Sequence, residues 1–511
     1  MKKITLINPP WYNNTKTPIK SMNLGLSYIV AYLRSKRHEV TAIDALFDDE
    51  DHIVPIRFKY QQVYRVGLSY EEIAQRIPKD SDFIAISAPF SNHATIIKEL
   101  SAHIKKIHPN RPIVIGGTYP STSREDILSM DVDYAVCGEG EIPLEKMLSG
   151  EDPAAIRGVY SKKNGKLMGK GRADTITNLD DIPFPARDIF HYQEILDAAG
   201  PARIRVGTDI VTREGRGVPI ITSRGCPYDC TFCSIHFVHG YRWRYRSAEN
   251  VLAEITELVN KYHVNGLAII DDHLAGKRDR FIKILDGLIE RDLKIEWGTP
   301  NGIRVDYLDE EVMEKMKKAG CSSLVLGIQH GDPKMLERMG TKLDLNKVED
   351  VVRIGSKLKL DMAAFFIIGH PGEDRKSFMR TIEYGRRLGK YGLKDFRINI
   401  ARAYPKTKLF NYCKERDLFV KRDTENILIF PGDDTEANIK TEDFNPKELL
   451  WRRNYAKRKL MAVENNIYWN IVYYAERFKV KNLFKTLLPE GVWSMAKRFI
   501  YNMSKRVVAG K

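Results

Sequence analysis

The feature that most constrains the fold is an alternation of short apolar strands with helical segments, which occurs twice along the chain. In the first run, the pattern predicts strands at residues 3–8, 40–44, 83–87, 113–115 and 134–137. Strands separated by helices pair in parallel, because the crossover helix returns the chain to the same end of the sheet. We therefore predict an α/β protein whose residues 1–150 form a doubly wound parallel sheet.

The second run has longer helices between its strands. Its predicted strands cover residues 218–223, 267–270, 295–298, 324–326, 362–368 and 396–400. Its predicted helices cover residues 248–262, 281–289 and 310–319. Six strand–helix units are typical of a partial (β/α)6 TIM-type barrel, which we place at residues 216–415. Residues 151–215 are predicted to form a connector with a hairpin around Asn164-Gly165, and residues 416–511 to form a helical C-terminal region.

Glycine-rich loops follow several strands of the first run. Gly116-Gly117 closes the fourth strand, Gly138-Glu139-Gly140 closes the fifth, and Ser87 ends the third. Ligands of doubly wound sheets bind beyond the carboxyl ends of the strands. Glycines in these loops would let the backbone approach a large flat ligand closely. The alternative is that they only terminate strands.

A loop with three of the six cysteines follows the first strand of the second run. Cys226, Cys230 and Cys233 have the spacing Cys-x3-Cys-x2-Cys. Three thiolates on one tight loop can hold three corners of an iron–sulfur cube, which usually has four cysteine ligands. A missing fourth ligand leaves one metal corner open to substrate. The alternatives are a zinc site completed by His236 or His239, and a disulfide that leaves one cysteine unpaired.

The net charge of +15 on the 511-residue chain is concentrated near its C-terminal end. Residues 446–511 contain 15 Lys and Arg against 4 Asp and Glu, whereas the rest of the chain contains 67 against 63. No apolar run is long enough for a signal peptide or a membrane span, so we expect a cytoplasmic protein.

The basic C-terminal region is also rich in aromatic residues. Its last segment has an apolar stripe at helical spacing: Val492, Ala496, Phe499, Ile500, Met503 and Val507. A helix with basic residues opposite such a stripe suits peripheral contact with the inner, anionic face of a membrane. The alternative is a helical cap that packs on the barrel. No nucleic-acid partner is expected, because the body outside this region is nearly neutral.

The cysteine loop resembles that of radical S-adenosylmethionine (SAM) enzymes. Residues 1–415 resemble the subgroup with an N-terminal cobalamin-binding domain, which includes the anaerobic magnesium-protoporphyrin ester cyclase and the hopanoid-pathway radical enzymes. The resemblance rests on stretches in the expected order: residues 24–29, Gly116-Gly117, residues 138–141, residues 182–188, the cysteine loop with Phe232, Arg244-x-Arg246-Ser247, Asp271-Asp272, and Gly369-x-Pro371-Gly372-Glu373.

This resemblance implies that Cys226, Cys230 and Cys233 ligate a [4Fe–4S] cluster whose open iron binds SAM. One electron would then cleave SAM and release a 5′-deoxyadenosyl radical. The implied SAM contacts are Asp271, Asp272, Gln329, Gly369, Pro371 and Gly372. For either aspartate, the alternative role is to cap the end of the strand. Gln329 stands where a glutamate is frequent in the family. His330 is a candidate proton donor, with a structural histidine as the alternative.

The resemblance also implies a cobalamin site in the first domain. Its residues would be Ser87, Gly116, Gly117, Tyr119, Gly138, Glu139 and Gly140. The Asp-x-His-x-x-Gly motif that supplies a histidine to cobalt in many cobalamin domains is absent, and Tyr119 stands where relatives often have histidine. We therefore expect cobalamin to bind without a histidine ligand. The alternative is a domain that keeps the fold and has lost the cofactor.

The expected activity is methylation, cyclisation or another functionalisation of C–H bonds in an apolar, lipid-like substrate. Such an enzyme is oxygen-sensitive and takes its electron from a donor such as ferredoxin or flavodoxin. One alternative within enzymes is modification of a tetrapyrrole or another natural product. The alternative from another class is a non-catalytic cobalamin or iron–sulfur sensor.

Overall fold

The computed structural model describes residues 2–13, 22–57, 62–198, 205–206, 209–210, 216–420 and 437–461. Within this part of the chain, the N-terminal domain is built on a seven-stranded sheet. Its parallel strands lie in the order Glu39–Asp44, Lys3–Asn8, Phe83–Ser87, Ile113–Gly116 and Tyr134–Val136. This order, 2-1-3-4-5 in the chain, is that of a doubly wound sheet and confirms the predicted fold class.

The predicted hairpin extends this sheet. Val159–Lys163 pairs antiparallel with Tyr134–Val136, and Lys166–Gly169 pairs with Val159–Lys163. Asn164 and Gly165 both have positive φ, which is the conformation that a tight Asn-Gly turn requires. The sheet of the first domain therefore runs beyond residue 150.

Helices cover both faces of the first sheet. Leu24–Ser35 and Glu141–Leu148 share one core with alternate strand residues such as Leu6 and Val114. Tyr70–Arg76 and Ala94–Ile107 share the other core with Ile7 and Ile115. Successive strand side chains point to opposite faces, so one apolar strand supplies both cores.

A small antiparallel sheet that the sequence pattern does not predict lies beside the first one. Its strands are Trp11–Asn13, Gln62–Val66 and Ile53–Arg57. The first of these has three residues, and Pro55 interrupts the last. Proline is tolerated there because the strand lies at the sheet edge.

The second domain, over its described residues, is a six-stranded parallel sheet in chain order, consistent with the predicted partial barrel. The strands are Gly217–Ile220, Gly266–Ile269, Glu296–Ile303, Cys321–Gln329, Asp361–Ile368 and Asp395–Ile400. The helices between and after them are Ala248–Tyr262, Arg278–Arg291, Glu310–Lys318, Pro333–Arg338, Leu345–Lys357, Arg375–Lys390 and Lys408–Glu415. The first crossover contains the cysteine loop and a short strand pair, Ser223–Arg224 with Arg244–Tyr245.

The helix Pro446–Met461 packs against the second domain. Its residues Leu449, Ala456 and Leu460 belong to the same core as the six strands. A Cβ at Gly369 would lie 2.6 Å from Leu449 Cδ2, so the helix approaches the end of the fifth strand closely. This helix is therefore a cap on the barrel sheet. The predicted stripe from Val492 to Val507 lies outside the described residues.

Candidate functional site

The cysteine loop contacts the segments that follow the second and third strands of the barrel sheet. The backbone N–H of Gly225 donates to Asp272 Oδ2 at 3.1 Å, and Asp272 lies in the segment that follows the second strand, Gly266–Ile269. The hydroxyl groups of Tyr228 and Tyr307 hydrogen-bond at 2.9 Å, and Tyr307 follows the third strand. These two hydrogen bonds hold the first half of the cysteine loop to the segments that follow the second and third strands.

Thr231 attaches the second half of the loop to the three remaining strand ends. Its N–H donates to Met339 O at 3.0 Å, and its carbonyl accepts from Leu409 N at 2.9 Å. Its hydroxyl lies 3.1 Å from His370 Nε2. These partners follow the fourth, sixth and fifth strands, respectively. The cysteine loop therefore lies where segments from the carboxyl ends of all the other described barrel strands meet.

The three cysteines of the loop are free thiols that are partly exposed. The N–H of Cys233 donates to Cys230 O at 3.1 Å, which closes a tight turn between these two residues. Burial raises the pKa of Cys230 to about 11 and that of Cys233 to about 12. Such thiols are neutral on their own and lose their protons when they bind a metal. Free thiols contradict the disulfide alternative, and the donor set fits an iron–sulfur cluster.

Both histidines that could complete a zinc site are hydrogen-bonded to other residues of the protein. His236 Nε2 hydrogen-bonds the carbonyl of Cys226 at 3.1 Å, and its ring stacks on Tyr241. His239 Nδ1 lies 2.6 Å from Glu139 Oε1. These contacts favour roles in holding the loop, and they weaken the zinc alternative.

The two adjacent aspartates of the predicted SAM site differ in their surroundings. Asp271 is buried and accepts hydrogen bonds from Thr222 N at 2.7 Å, Thr222 Oγ1 at 2.6 Å and Ser223 Oγ at 2.6 Å. These hydrogen bonds give Asp271 the role of capping the strand end, which is the alternative to a contact with SAM. Asp272 is partly exposed and accepts from Gly225 N. Of the pair, Asp272 is therefore the carboxylate that stays partly exposed beside the cysteine loop, and its contact with the ammonium group of SAM stays a prediction.

Gln329 ends the fourth strand with a φ of +69°. A non-glycine residue in this region is uncommon and often re-aims a side chain. Here Gln329 Nε2 lies 3.4 Å from the position that a Cβ on Gly327 would take. The amide therefore lies beside the strand end, where it is available to hydrogen-bond a hydroxyl group.

His330, the predicted proton donor, is fully buried. Its Nδ1 accepts from Asp332 N at 3.0 Å, and its Nε2 lies 2.9 Å from Glu373 Oε1. Glu373 in turn accepts from the N–H of Gly369. A histidine with both ring nitrogens hydrogen-bonded links the ends of the fourth and fifth strands. This geometry supports the structural role and gives His330 no exposed atom to present to a substrate.

The segment Gly369–Gly372 lies between the cysteine loop and the C-terminal region. Gly369 packs against Leu449, and the N–H of Gly372 donates to Glu442 Oε2 at 3.0 Å. Pro371 is buried. Contacts of these three residues with SAM stay a prediction.

In the first domain, the loop after the fourth strand borders open space at one of its two glycines. Ser87 and Gly116 pair in register at the ends of neighbouring strands. A Cβ at Gly116 would meet nothing within 4 Å, so the backbone borders open space. Gly117 has a φ of +120° and lies so close to Ala88 that a Cβ would be 2.6 Å from the carbonyl oxygen of Ala88. The partly exposed backbone at Gly116 is therefore accessible to a ligand, whereas Gly117 allows close packing against Ala88.

Three other predicted cobalamin residues contact protein. Tyr119 is buried and donates its hydroxyl proton to Asp126 at 2.7 Å. A Cβ on Gly138 would lie 2.9 Å from Arg172 Cγ, and one on Gly140 would lie 3.0 Å from Ile29 Cδ1. The two glycines thus allow close packing against these side chains.

Glu139, also predicted to contact cobalamin, instead places its carboxylate against the cysteine loop. It is buried, forms ion pairs with Arg224 at 3.3 Å and with Arg244, and hydrogen-bonds His239 at 2.6 Å. Burial opposes its ionisation, but the hydrogen bond from His239 and the arginine charges hold its pKa well below the usual range. The sequence predicts no role for Arg224 and indicates His239 only as a zinc ligand, because a single basic residue beside a loop has no pattern that predicts a distant carboxylate partner.

A second buried group of charges joins the connector to the second domain. Glu254 forms ion pairs with both Arg187 and Arg246, and all three side chains are almost completely buried. Arg246 Nη1 also lies 3.4 Å from the hydroxyl of Tyr28 in the first domain. Tyr28, Arg187 and Arg246 come from three of the stretches that carry the family resemblance. These stretches therefore meet at one contact between domains.

Comparisons with known families agree with this geometry. Residues 220–385 match the model of the radical SAM superfamily, and residues 14–148 match that of the B12 binding domain. The first match contains the cysteine loop, and the second contains Gly116-Gly117 and residues 138–140. Both matches confirm the resemblance inferred from the sequence.

Two curated proteins are similar over most of the chain. An uncharacterized methyltransferase of Pyrococcus horikoshii is 29% identical over 434 residues, which is 82% of this chain and 84% of that protein. The cytidylyl-2-hydroxyethylphosphonate methyltransferase of Streptomyces wedmorensis is 24% identical over 426 residues, which is 76% of this chain and 78% of that protein.

A solved structure shares the fold along the whole chain. The cobalamin-dependent SAM radical enzyme OxsB, with aqua-cobalamin and SAM bound, superposes with a TM-score of 0.68 at 18% identity. The similarity covers 100% of this chain and 71% of that one. The two proteins therefore share their overall fold.

Proposed function

The chain belongs to the radical SAM enzymes that carry a B12-binding domain, and we propose that it transfers a methyl group to a carbon atom of an apolar substrate. The observation that carries this proposal is the position of the cysteine loop, between the strand ends of the barrel sheet and the cobalamin domain. Both similar proteins described above are methyltransferases, which favours methyl transfer over cyclisation and over a non-catalytic sensor.

The chain's own residues have distinct parts in this proposal. Cys226, Cys230 and Cys233 hold the cluster, Asp272 receives the ammonium group of SAM, and Gln329 hydrogen-bonds its ribose. When bound, the cluster supplies the electron that cleaves SAM, and cobalamin supplies methyl-transfer chemistry. The electron comes from a low-potential donor such as ferredoxin or flavodoxin.

The fifth strand of the barrel sheet supports an apolar substrate. Phe366 and Ile368 lie in the core that the helices cover. Phe365 and Ile367 alternate with them, so they face the opposite side of the sheet, which is the interior of a barrel. Both are partly exposed. These two side chains favour an apolar, lipid-like part of the substrate, and their register neighbours on the sixth strand, Arg397 and Asn399, suit a polar part.

Cobalamin binding is expected to depend on the open space at Gly116. Gly116→Leu adds a side chain where nothing lies within 4 Å, so the protein should fold normally while the ligand is blocked. We expect wild-type protein to retain hydroxocobalamin, by visible absorption after gel filtration, and the variant to retain less than about a tenth as much. The matched control is Ala155→Leu, at an exposed position of the first domain. Equal retention by Gly116→Leu and wild type would contradict this site.

We also propose that the outer face of the helix Pro446–Met461 contacts an anionic membrane. Trp451 is 54% exposed and stacks on Tyr455 at 5.2 Å between ring centroids. Lys447 lies one helical turn before Trp451, and Lys459 lies one turn after Tyr455. Both lysines are therefore on the same side of the helix as the two rings. Exposed aromatic rings flanked by lysines suit the headgroup region of a bilayer. No helix in the described part of the chain is long and apolar enough to cross a membrane.

This membrane contact is testable by flotation with vesicles that contain phosphatidylserine. The double variant Trp451→Ser, Lys459→Glu should lower the bound fraction at least about threefold, because it removes apolar area and one favourable charge. Truncation after residue 445 is unsuitable, because it removes the buried Leu449 and Leu460. The control is Lys357→Glu on a barrel helix. Equal flotation of the double variant and wild type would refute the contact.

A further inference from the structure

The carboxylate of Glu139 lies between the two arms of the cysteine loop. The incoming arm ends at Arg224, directly before Gly225 and Cys226, and the outgoing arm contains His239 and Arg244. Glu139 forms ion pairs with both arginines and hydrogen-bonds His239, and both arginines are buried with it. Because Glu139 belongs to the first domain, that domain holds both ends of a loop that belongs to the second.

Other contacts close the base of the loop at the same place. Arg224 pairs with Arg244 across the short antiparallel strands. Gly225 has a φ of +84°, and a Cβ there would lie 2.8 Å from Arg242 O, so the turn into Cys226 is tightly packed. Arg172 of the connector donates to Val238 O at 2.9 Å on the outgoing arm. The loop therefore has a defined base from which the three cysteines project.

The two arms depend on Glu139 to different extents. Arg224 has a second carboxylate partner, Glu141, at 2.8 Å. Arg244 has the carbonyl oxygen of Ile176 at 2.7 Å as its other partner. Removing the charge of Glu139 would leave Arg224 paired, but it would leave the buried guanidinium of Arg244 without a carboxylate. A buried cation that loses its only carboxylate is strongly destabilised, so the outgoing arm should move first.

We propose that Glu139 is a positioning residue through which the cobalamin domain holds the outgoing arm of the cysteine loop in place for cluster binding. This inference rests on the proposed role of the three cysteines as cluster ligands. It replaces the predicted contact of the Glu139 side chain with cobalamin by a contact with the cluster loop. The first domain is then required for the geometry of the cluster site as well as for cobalamin.

Hydrogen exchange of the metal-free protein, followed by mass spectrometry, tests the positioning role without any cofactor. In Glu139→Gln, backbone amides of residues 234–246 should exchange about tenfold faster than in wild type, because a charged hydrogen bond is lost. Amides of the strand Gly217–Ile220 should be unchanged. Glu139→Asp should restore part of the protection. The matched control is Glu310→Gln, which removes an exposed ion pair with Lys357.

Reconstitution with iron and sulfide then tests the link to the cluster. We expect Glu139→Gln to lose its cluster absorption to a chelator about tenfold faster than wild type and Glu310→Gln. Arg244→Lys keeps the charge but loses the paired geometry, so it should show the same local exchange and cluster loss. It serves as the test if Glu139→Gln does not fold.

Two results would overturn the positioning role. One is wild-type exchange of residues 234–246 in both Glu139→Gln and Arg244→Lys. The other is faster exchange throughout the chain, which indicates general destabilisation. If wild-type protein binds no cluster while Glu139→Gln still shows the local change, the proposed function fails and the contact between Glu139 and the loop stands.

Discussion

Replacing Cys226, Cys230 or Cys233 singly by alanine is expected to abolish cluster assembly. Each thiolate holds one corner of the cluster, and the described loop offers no spare thiol to take its place. Reconstituted wild-type protein should contain about four iron atoms per chain, and each variant should contain less than about one. The measurements are iron and sulfide content and the broad visible absorption of the cluster.

Cys321→Ala is the control for this series. Cys321 is buried at the beginning of the fourth barrel strand, at the opposite end from the cysteine loop. The substitution removes one thiol and leaves a small cavity, so iron content should stay at the wild-type level. Iron content that falls equally in all four variants, or in none of them, would contradict the assignment of the three loop cysteines.

Glu254→Gln is expected to lower the free energy of unfolding by about 3–5 kcal/mol, because it leaves Arg187 and Arg246 buried without their carboxylate. Glu254 lies on the helix Ala248–Tyr262 and is the carboxylate partner of both arginines. An amide of the same size can accept hydrogen bonds but cannot balance two charges. Urea denaturation followed by circular dichroism measures the change.

The control for Glu254 lies on the same helix. Glu257 is 3.9 Å from Lys261 in a partly exposed pair, so Glu257→Gln should cost less than about 1 kcal/mol. The contrast between these two glutamates separates the buried network from an ordinary surface ion pair. A loss below about 1 kcal/mol for Glu254→Gln would show that the buried network does not hold the connector against the second domain.

The sequence predicts the two parallel sheets well because their strands are apolar on both faces. The parallel strands of both domains lie where the apolar runs indicate, and the helix 248–262 has the predicted bounds. The strand Trp11–Asn13 has no such signal, because three residues are too few to show a period. The attachment of the hairpin to the first sheet depends on a contact between distant segments, which local pattern does not encode.

In the candidate site too, the sequence predicts what depends on residues close together in the chain and does not predict contacts between distant residues. The cysteine spacing identifies the cluster loop, because ligand chemistry needs those residues close together in the chain. Glu139 and Asp271 also lie in recognisable motifs, yet the structure uses their carboxylates to hold other parts of the protein. A sequence motif identifies a residue as important. Only its contacts in the folded protein show whether that residue binds a cofactor or holds another segment of the protein in place. Arg244, one of the two partners of Glu139 on the outgoing arm, is 105 residues away.

The most direct test of the central claim is the production of 5′-deoxyadenosine from SAM. The protein is purified without oxygen, reconstituted with iron and sulfide, supplied with hydroxocobalamin, and mixed with SAM and a chemical reductant. We predict that 5′-deoxyadenosine accumulates with wild-type protein and stays at background with Cys226→Ala. A wild-type protein that carries its cluster and yields no more 5′-deoxyadenosine than Cys226→Ala would contradict the assignment as a radical SAM enzyme.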